Sequence, residues 1–160
     1  MRTYCEGFEP VWNEHSRVLI LGSFPSVKSR AEGFYYGNKQ NRFWRTVSEF
    51  FRAELPQTVE EKRAFVLCNS LALWDVVVSC EIEGSQDSSI TNERVANIPD
   101  LLKGSNIKAI LCNGTLSYRL LESNFPRLLS IAKKLPSTSP ANPRFSKEIW
   151  FQALEEIFHA

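Results

Sequence analysis

The feature that most limits what this chain can become is the stretch Val18 to Trp44, reading VLILGSFPSVKSRAEGFYYGNKQNRFW. An apolar run, Val18 to Leu21, is cut off by Gly22-Ser23-Phe24-Pro25, as happens where a strand buried on both faces ends in a loop above its carboxyl end. Loops at that end of an open α/β sheet are where ligands bind. This loop runs on through Phe34, Tyr35, Tyr36, Gly37, Asn38 and Asn41. It gathers flat aromatic faces, amides and bare backbone, which together suit a flat, polar, uncharged group.

The remaining chain alternates short apolar runs with helical periodicity. From Asn41, a plausible N-cap, the residues Phe43, Trp44, Val47, Phe50 and Phe51 recur at helical spacing, and Pro56 closes that region. Val59 to Phe65 reads as a short helix leading into a second strand near Phe65 to Cys68, followed by buried chain from Leu71 to Val78. Glu83 to Asn92 is polar and turn-rich and reads as a surface loop. Helix signals resume near Asn92, with Val95, Ile98, Leu101 and Leu102 facing inward as far as Gly104. Ile107 to Cys112 reads as a central strand broken at Asn113-Gly114, with a helix from Thr115 to Glu122. Leu128 to Leu135 fits strand or helix, and Pro136 to Pro143 is too rich in proline for either. Ser146 caps a last amphipathic helix through Ile149, Trp150, Ala153, Leu154, Ile157 and Phe158. Met1 to Ser16 reads as an irregular leader packed by Phe8, Val11 and Trp12.

The alternation predicts one domain spanning residues 1–160. Its architecture is α/β, with a parallel or mostly parallel sheet covered by helices on both faces. Right-handed crossovers would then bring strand ends at Gly22, near Leu73 and at Asn113 to one edge, together with the proline-rich loop.

With 160 residues and 43% hydrophobic content, such a domain buries roughly two thirds of its unfolded surface. No apolar run approaches the roughly 20 residues of a membrane span, so a soluble, cytoplasmic protein with no membrane partner is expected. The four cysteines form no CxxC pair and no zinc spacing. Reduced thiols, no metal and no cofactor follow as expectations.

Net charge is +1, so only its distribution is informative. Lys28, Arg30, Lys39, Arg42 and Arg45 face Glu32 alone in one segment. Arg127, Lys133, Lys134, Arg144 and Lys147 meet no acid in another. Brought together, the two segments would form a phosphate-attracting rim.

The segments GSFPS, YYGNKQNRFW, ALWDVV, GSQDSSI and LPSTSPAN, in this order across most of the chain, resemble the uracil-DNA glycosylase superfamily. Within it the likeness is strongest to the hypoxanthine-DNA (deoxyinosine) glycosylase family, and the mismatch-specific uracil glycosylases share the NRFW helix start. The resemblance implies an α/β three-layer sandwich with a short, mostly parallel four-stranded central sheet and helices on both faces, and a base-excision enzyme that flips a damaged base into its pocket. A monomer acting on double-stranded DNA is expected, with single strands left open as substrates. It puts GSFPS in the place of the water-activating loop and LPSTSPAN in that of the segment gripping DNA around the flipped nucleotide. Phe24 stands where many relatives place Asp or Asn, and Leu135 where the uracil enzymes place histidine. Hypoxanthine is therefore the first expected substrate and uracil opposite guanine the second. The same two positions motivate a rival reading, a catalytically inactive α/β module binding a nucleotide or small ligand.

Hydrolysis of an N-glycosidic bond builds positive charge on the sugar and negative charge on the departing base, so a water must be oriented and the base stabilised. An amide can hold water through its carbonyl and donate through its NH₂, although it cannot take a proton at neutral pH. Asn41 or Asn38 is the candidate for the water and Asn113 for the base edge. The resemblance supports an asparagine from YYGNKQN and one at the third strand's end in these roles. It also implies that Tyr36 stacks on the extruded base, with Phe34 and Tyr35 competing for that place and Phe24 and Ser23 beside it. Ser26, Ser85, Ser137, Thr138, Ser139, Asn142 and Arg144 are the expected DNA contacts. Asp75 and Asp87 read as solvated or capping carboxylates.

Overall fold

The computed structural model describes residues 3–82 and 91–159. Its frame is a four-stranded parallel sheet in the order β3-β2-β6-β7, built from β2 (Val18–Gly22), β3 (Leu71–Asp75), β6 (Ala109–Asn113) and β7 (Ala132–Leu135). Every residue of β2 is buried, because the strand is covered on both faces. Val18 and Ile20 join one core layer with Leu71, Leu73 and Leu111. Leu19 and Leu21 join the other with Ala72, Ile110 and Cys112. The consecutive apolar run is thus two interleaved faces rather than one.

Helices α2 (Phe43–Phe50), α3 (Val59–Cys68) and α6 (Lys147–Phe158) cover the first face, supplying Phe43, Trp44, Phe65 and the fully buried Trp150. Helices α4 (Ile98–Lys103) and α5 (Thr115–Asn124) cover the second with Ile98, Leu101 and Leu121. The three-layer architecture is the one expected, and no helix of the described residues is long and apolar enough to cross a membrane.

Several elements differ from the sequence reading. Phe65 to Cys68 is the last part of α3, not a strand. A capping box at Thr58 and Glu61 starts this helix, each side chain accepting from the other's end of the first turn, and the helix runs on until Asn69. Replacing Thr58 by alanine should cost about 1 kcal/mol of stability, read as a lower midpoint in urea with an unchanged slope.

The leader is not irregular: Thr3–Glu6 forms β1, which pairs antiparallel with β4 (Val77–Ile82). Thr91–Val95 forms β5 on the other side of β4, where a helix was expected from Asn92. Register shifts along β4 and β5 break the two-residue alternation that would have marked them. Val27–Glu32 forms α1 inside the long loop; only Val27 and Ala31 of its six residues are apolar, too few to show a period. Leu128 to Leu135 is a 3₁₀ turn, Pro126–Ile131, running into β7. Of the expected loop Glu83 to Asn92, residues 83–90 lie outside the described residues, among them Ser85 and Asp87.

Candidate active site

The carboxyl ends of the parallel strands open on one edge, where a cavity of about 470 Å³ is lined by the GSFPS loop, Tyr36, Asn38, Asn41, Asp75, Asn113 and the Ser137 to Ala141 segment. This falls in the usual range for small-molecule sites, about 300 to 1,000 Å³.

The two long loops face each other because Arg42 fastens them. Its backbone N–H donates to the Thr138 carbonyl at 3.0 Å, and its guanidinium donates to the carbonyls of Ser139 at 3.2 Å and Asn142 at 3.0 Å. The same guanidinium lies over the Phe145 ring. Arg42 was counted by sequence as part of the phosphate-attracting rim; here it is turned inward. That rim is thinned further, since Lys133 pairs with Glu156 and Lys147 with Glu49, while Arg30 donates to Cys5 Sγ at 2.8 Å.

A second link joins the sheet to the proline-rich loop. Asn113 Nδ2 donates to Thr138 Oγ1 and Asn113 Oδ1 accepts from the Thr138 backbone N–H, both at 2.9 Å. Thr138 is fully buried and lines the cavity, with its hydroxyl and backbone N–H both engaged by Asn113. Gly114 follows with φ of 99°, and a side chain there would press on Ser137 Cβ at 3.1 Å. Only glycine meets both demands without strain.

Asn41 and Asn38 both line the cavity. Asn41 Oδ1 accepts from the Phe43 N–H at 2.9 Å, so Asn41 supplies the capping oxygen of α2 although the cap position by backbone is Arg42. Asn38 Oδ1 accepts from the Gln40 N–H at 3.0 Å. Each retains an amide NH₂ and a second oxygen lone pair for a ligand.

The three neighbouring aromatics divide. Phe34 packs into the core against Trp44 at 6.1 Å. Tyr35 borders the cavity but is buried, and its hydroxyl donates to the carbonyls of Phe8 and Glu9. Tyr36 alone leans into the site, its ring 4.4 Å from that of Phe43. Its φ of 53° lies in the left-handed region, which costs a non-glycine residue about 1 kcal/mol. Phe24 lines the cavity while its ring is buried beside Cys5, Val77 and Cys80 under the Arg30 guanidinium. Ser23 lines the cavity too.

Among the expected DNA contacts, Ser26 is the N-cap of α1, accepting from the Ser29 N–H. Ser137 and Ser139 line the cavity and accept from the N–H groups of Ser139 and Ala141. Asn142 donates to the Ser137 carbonyl and accepts from the Arg144 N–H. These side chains shape the loop, and Arg144 is exposed at its end.

Asp75 reads from sequence as a solvated or capping carboxylate, and burial overturns the first of these. It is 5% exposed and lines the cavity. Parallel pairing sets it opposite Gly22, where a Cβ would collide with Asp75 Oδ1 and stand 3.2 Å from the Tyr36 hydroxyl. The missing side chain of Gly22 is what admits both polar groups. Burial first, and then the negative charge of Asp75, push the Tyr36 pKa well above that of a free phenol, while Asn113 beside the hydroxyl pulls it down. The phenol therefore stays a hydrogen-bond donor throughout the neutral range. Its oxygen is buried, with no hydrogen-bond partner among the described residues.

Among the described residues, no group of three or more His, Cys, Asp or Glu could hold a metal ion. The chemistry on offer is amide, phenol and carboxylate around one cavity.

Residues 9–156 match the model of the Uracil DNA glycosylase superfamily. A protein of Methanosarcina acetivorans named hypoxanthine DNA glycosylase is 37% identical over 142 residues, covering 88% of this chain and 90% of that protein. One of the same name from Methanosarcina barkeri is 36% identical over 115 residues, covering 70% of this chain and 72% of its own length. The solution NMR structure of a Methanosarcina acetivorans protein, provisionally named a uracil DNA glycosylase, superposes with a TM-score of 0.84 at 32% identity, covering 97% of this chain and 99% of that one.

Proposed function

The chain belongs to the Uracil DNA glycosylase superfamily, and on that premise we propose that this DNA N-glycosylase releases hypoxanthine from double-stranded DNA as a monomer, with no metal. The names of the two archaeal relatives support the choice of base. The observation that carries the mechanism is the clamp formed by Arg42 and the Asn113–Thr138 pair, which holds the tyrosine-asparagine loop across from the serine-proline loop over a slot without catalytic histidine. A base turned out of the helix enters that slot between the two loops.

Asn41 is the better support for the water. It is anchored to the first turn of α2 and to the Arg42 clamp, whereas Asn38 sits in an exposed-side turn that also borders a second groove with Lys39 and Gln40. A rigid element holds an attacking water more accurately than a turn does. Asn41 orients the water by accepting one of its protons in a hydrogen bond. Asn113, whose Nδ2 has a second proton beyond the one given to Thr138, donates to an acceptor atom of the departing base and takes up part of its growing negative charge. Tyr36 lines the slot. Ser26, Ser137 and Ser139 stand at its mouth, where hydroxyls meet phosphates.

The test is incubation with duplexes carrying a single deoxyinosine opposite each base, followed by alkaline cleavage of abasic sites. Strand breaks at inosine are expected. Their absence, from protein that still binds the duplex, would leave the module without catalysis as the remaining reading.

A further inference from the structure

Three polar groups meet at the carboxyl ends of neighbouring strands, Asp75 ending β3, the Tyr36 hydroxyl over Gly22 at the end of β2 and Asn113 ending β6. Asp75 and the Tyr36 hydroxyl meet above Gly22, on the same missing Cβ. Strand order puts Asn113 across β2 from Asp75, and its amide is close enough to that hydroxyl to act on it. The hydroxyl is buried and has no hydrogen-bond partner among the described residues, an arrangement that costs free energy unless a ligand supplies an acceptor. All three residues line the cavity.

Read in strand order, the protein offers an acceptor, then a donor, then a donor. Hypoxanthine presents N1–H, O6 and N7 along one edge, which is a donor followed by two acceptors. We propose that Asp75, Tyr36 and Asn113 read these three atoms in that order: N1–H donates to the Asp75 carboxylate, the Tyr36 hydroxyl donates to O6, and the Asn113 amide donates to N7. The assignment rests on hypoxanthine being the substrate.

The code separates the bases that matter. Adenine presents an acceptor at N1 and a donor at its 6-amino group, so it sets acceptor against acceptor at Asp75 and takes from the Tyr36 hydroxyl only its weaker role as an acceptor. A pyrimidine lactam such as uracil matches at N3–H and O4 but has a C–H where Asn113 seeks an acceptor. Guanine carries the same three atoms as hypoxanthine, and selection against it falls to extrusion, because a sound G:C pair is harder to open than a pair containing inosine. The two donors also do more than recognise. Negative charge on the leaving base spreads to O6 and N7, so hydrogen bonds from Tyr36 and Asn113 strengthen as the bond to the sugar breaks. Asp75 contributes selectivity alone, since a site built around a substrate N–H rejects a base lacking it.

The deciding measurement is the ratio of single-turnover excision rates on duplexes carrying deoxyinosine and 2′-deoxynebularine, a purine with neither N1–H nor O6. Tyr36→Phe removes one oxygen from an unpartnered position and should lower that ratio about 100-fold. Asp75→Asn, which can turn an NH₂ toward a bare N1, should lower it about 10-fold. Circular dichroism establishes that both variants are folded. A ratio unchanged in Tyr36→Phe, with both rates falling together, would show the hydroxyl to be structural and overturn the edge reading alone. Wild-type protein that releases no hypoxanthine at all overturns the substrate assignment, and this inference with it.

Discussion

Asn41→Ala is expected to slow hypoxanthine release by about 10³-fold while leaving affinity for the inosine duplex within about twofold of the parent. The loss belongs to the water, which without the amide oxygen is no longer held in line with the sugar. A confounding effect is built into the position, because Asn41 Oδ1 also accepts from the Phe43 N–H at the start of α2, and losing that acceptor costs about 1 kcal/mol of stability. Asn41→Ser separates the two. A serine hydroxyl can serve the same backbone N–H through the analogous local turn, yet it is too short to reach into the slot. Serine should therefore restore the melting temperature and leave the rate as low as alanine does. Asn38→Ala, by contrast, should cost less than about tenfold. Rates come from single-turnover cleavage and affinities from fluorescence anisotropy. If the serine variant recovers the parental rate, Asn41 acts only as a cap and the water is held elsewhere.

What was legible in the sequence follows from which interactions are local. Four consecutive apolar residues stopped by Gly-Ser-Phe-Pro announce a central parallel strand, since only a strand covered on both faces makes Val18, Leu19, Ile20 and Leu21 all core. The final helix was readable from Ser146 and its periodic stripe, which buries Trp150, Ala153 and Leu154. The place of Asn113 on the cavity was readable because an amide at a strand end, before glycine, sits at the edge where such sheets bind ligands.

The residues that sequence misjudged are those whose surroundings arrive from distant chain. Asp75 follows Trp74 and precedes Val76, and nothing local says whether its carboxylate meets water. Its burial is a consequence of register, the pairing with Gly22 across β2 and β3. A closer look at Gly22 could have raised the question, because a glycine ending a buried strand often marks a close approach. Arg42 was one basic residue among five. Its inward turn depends on carbonyls of Ser139 and Asn142, about a hundred residues away in sequence and needing a donor that only a fork of N–H groups supplies twice. The burial of Thr138 was hidden for the same reason: a hydroxyl in a serine-rich loop advertises exposure, and the amide that engages it lies on another strand.

That last pair carries the second large expectation. Asn113→Ala removes both hydrogen bonds to Thr138 and leaves the Thr138 N–H buried without an acceptor, a penalty of about 1 to 3 kcal/mol. It also removes the donor expected to meet the departing base. Excision should fall about 10³-fold, and the melting temperature should fall with it, so the variant alone does not say which loss matters. Thr138→Val supplies the comparison. It keeps the shape of the side chain and the backbone N–H to Asn113 Oδ1, deletes only the hydroxyl, and leaves the amide free to face the slot. If Asn113 works on the base itself, Thr138→Val should retain at least a tenth of the parental rate while Asn113→Ala does not. Equal losses in the two variants would mean that Asn113 serves only to hold the serine-proline loop in place, and that the negative charge of the leaving base is met by another group.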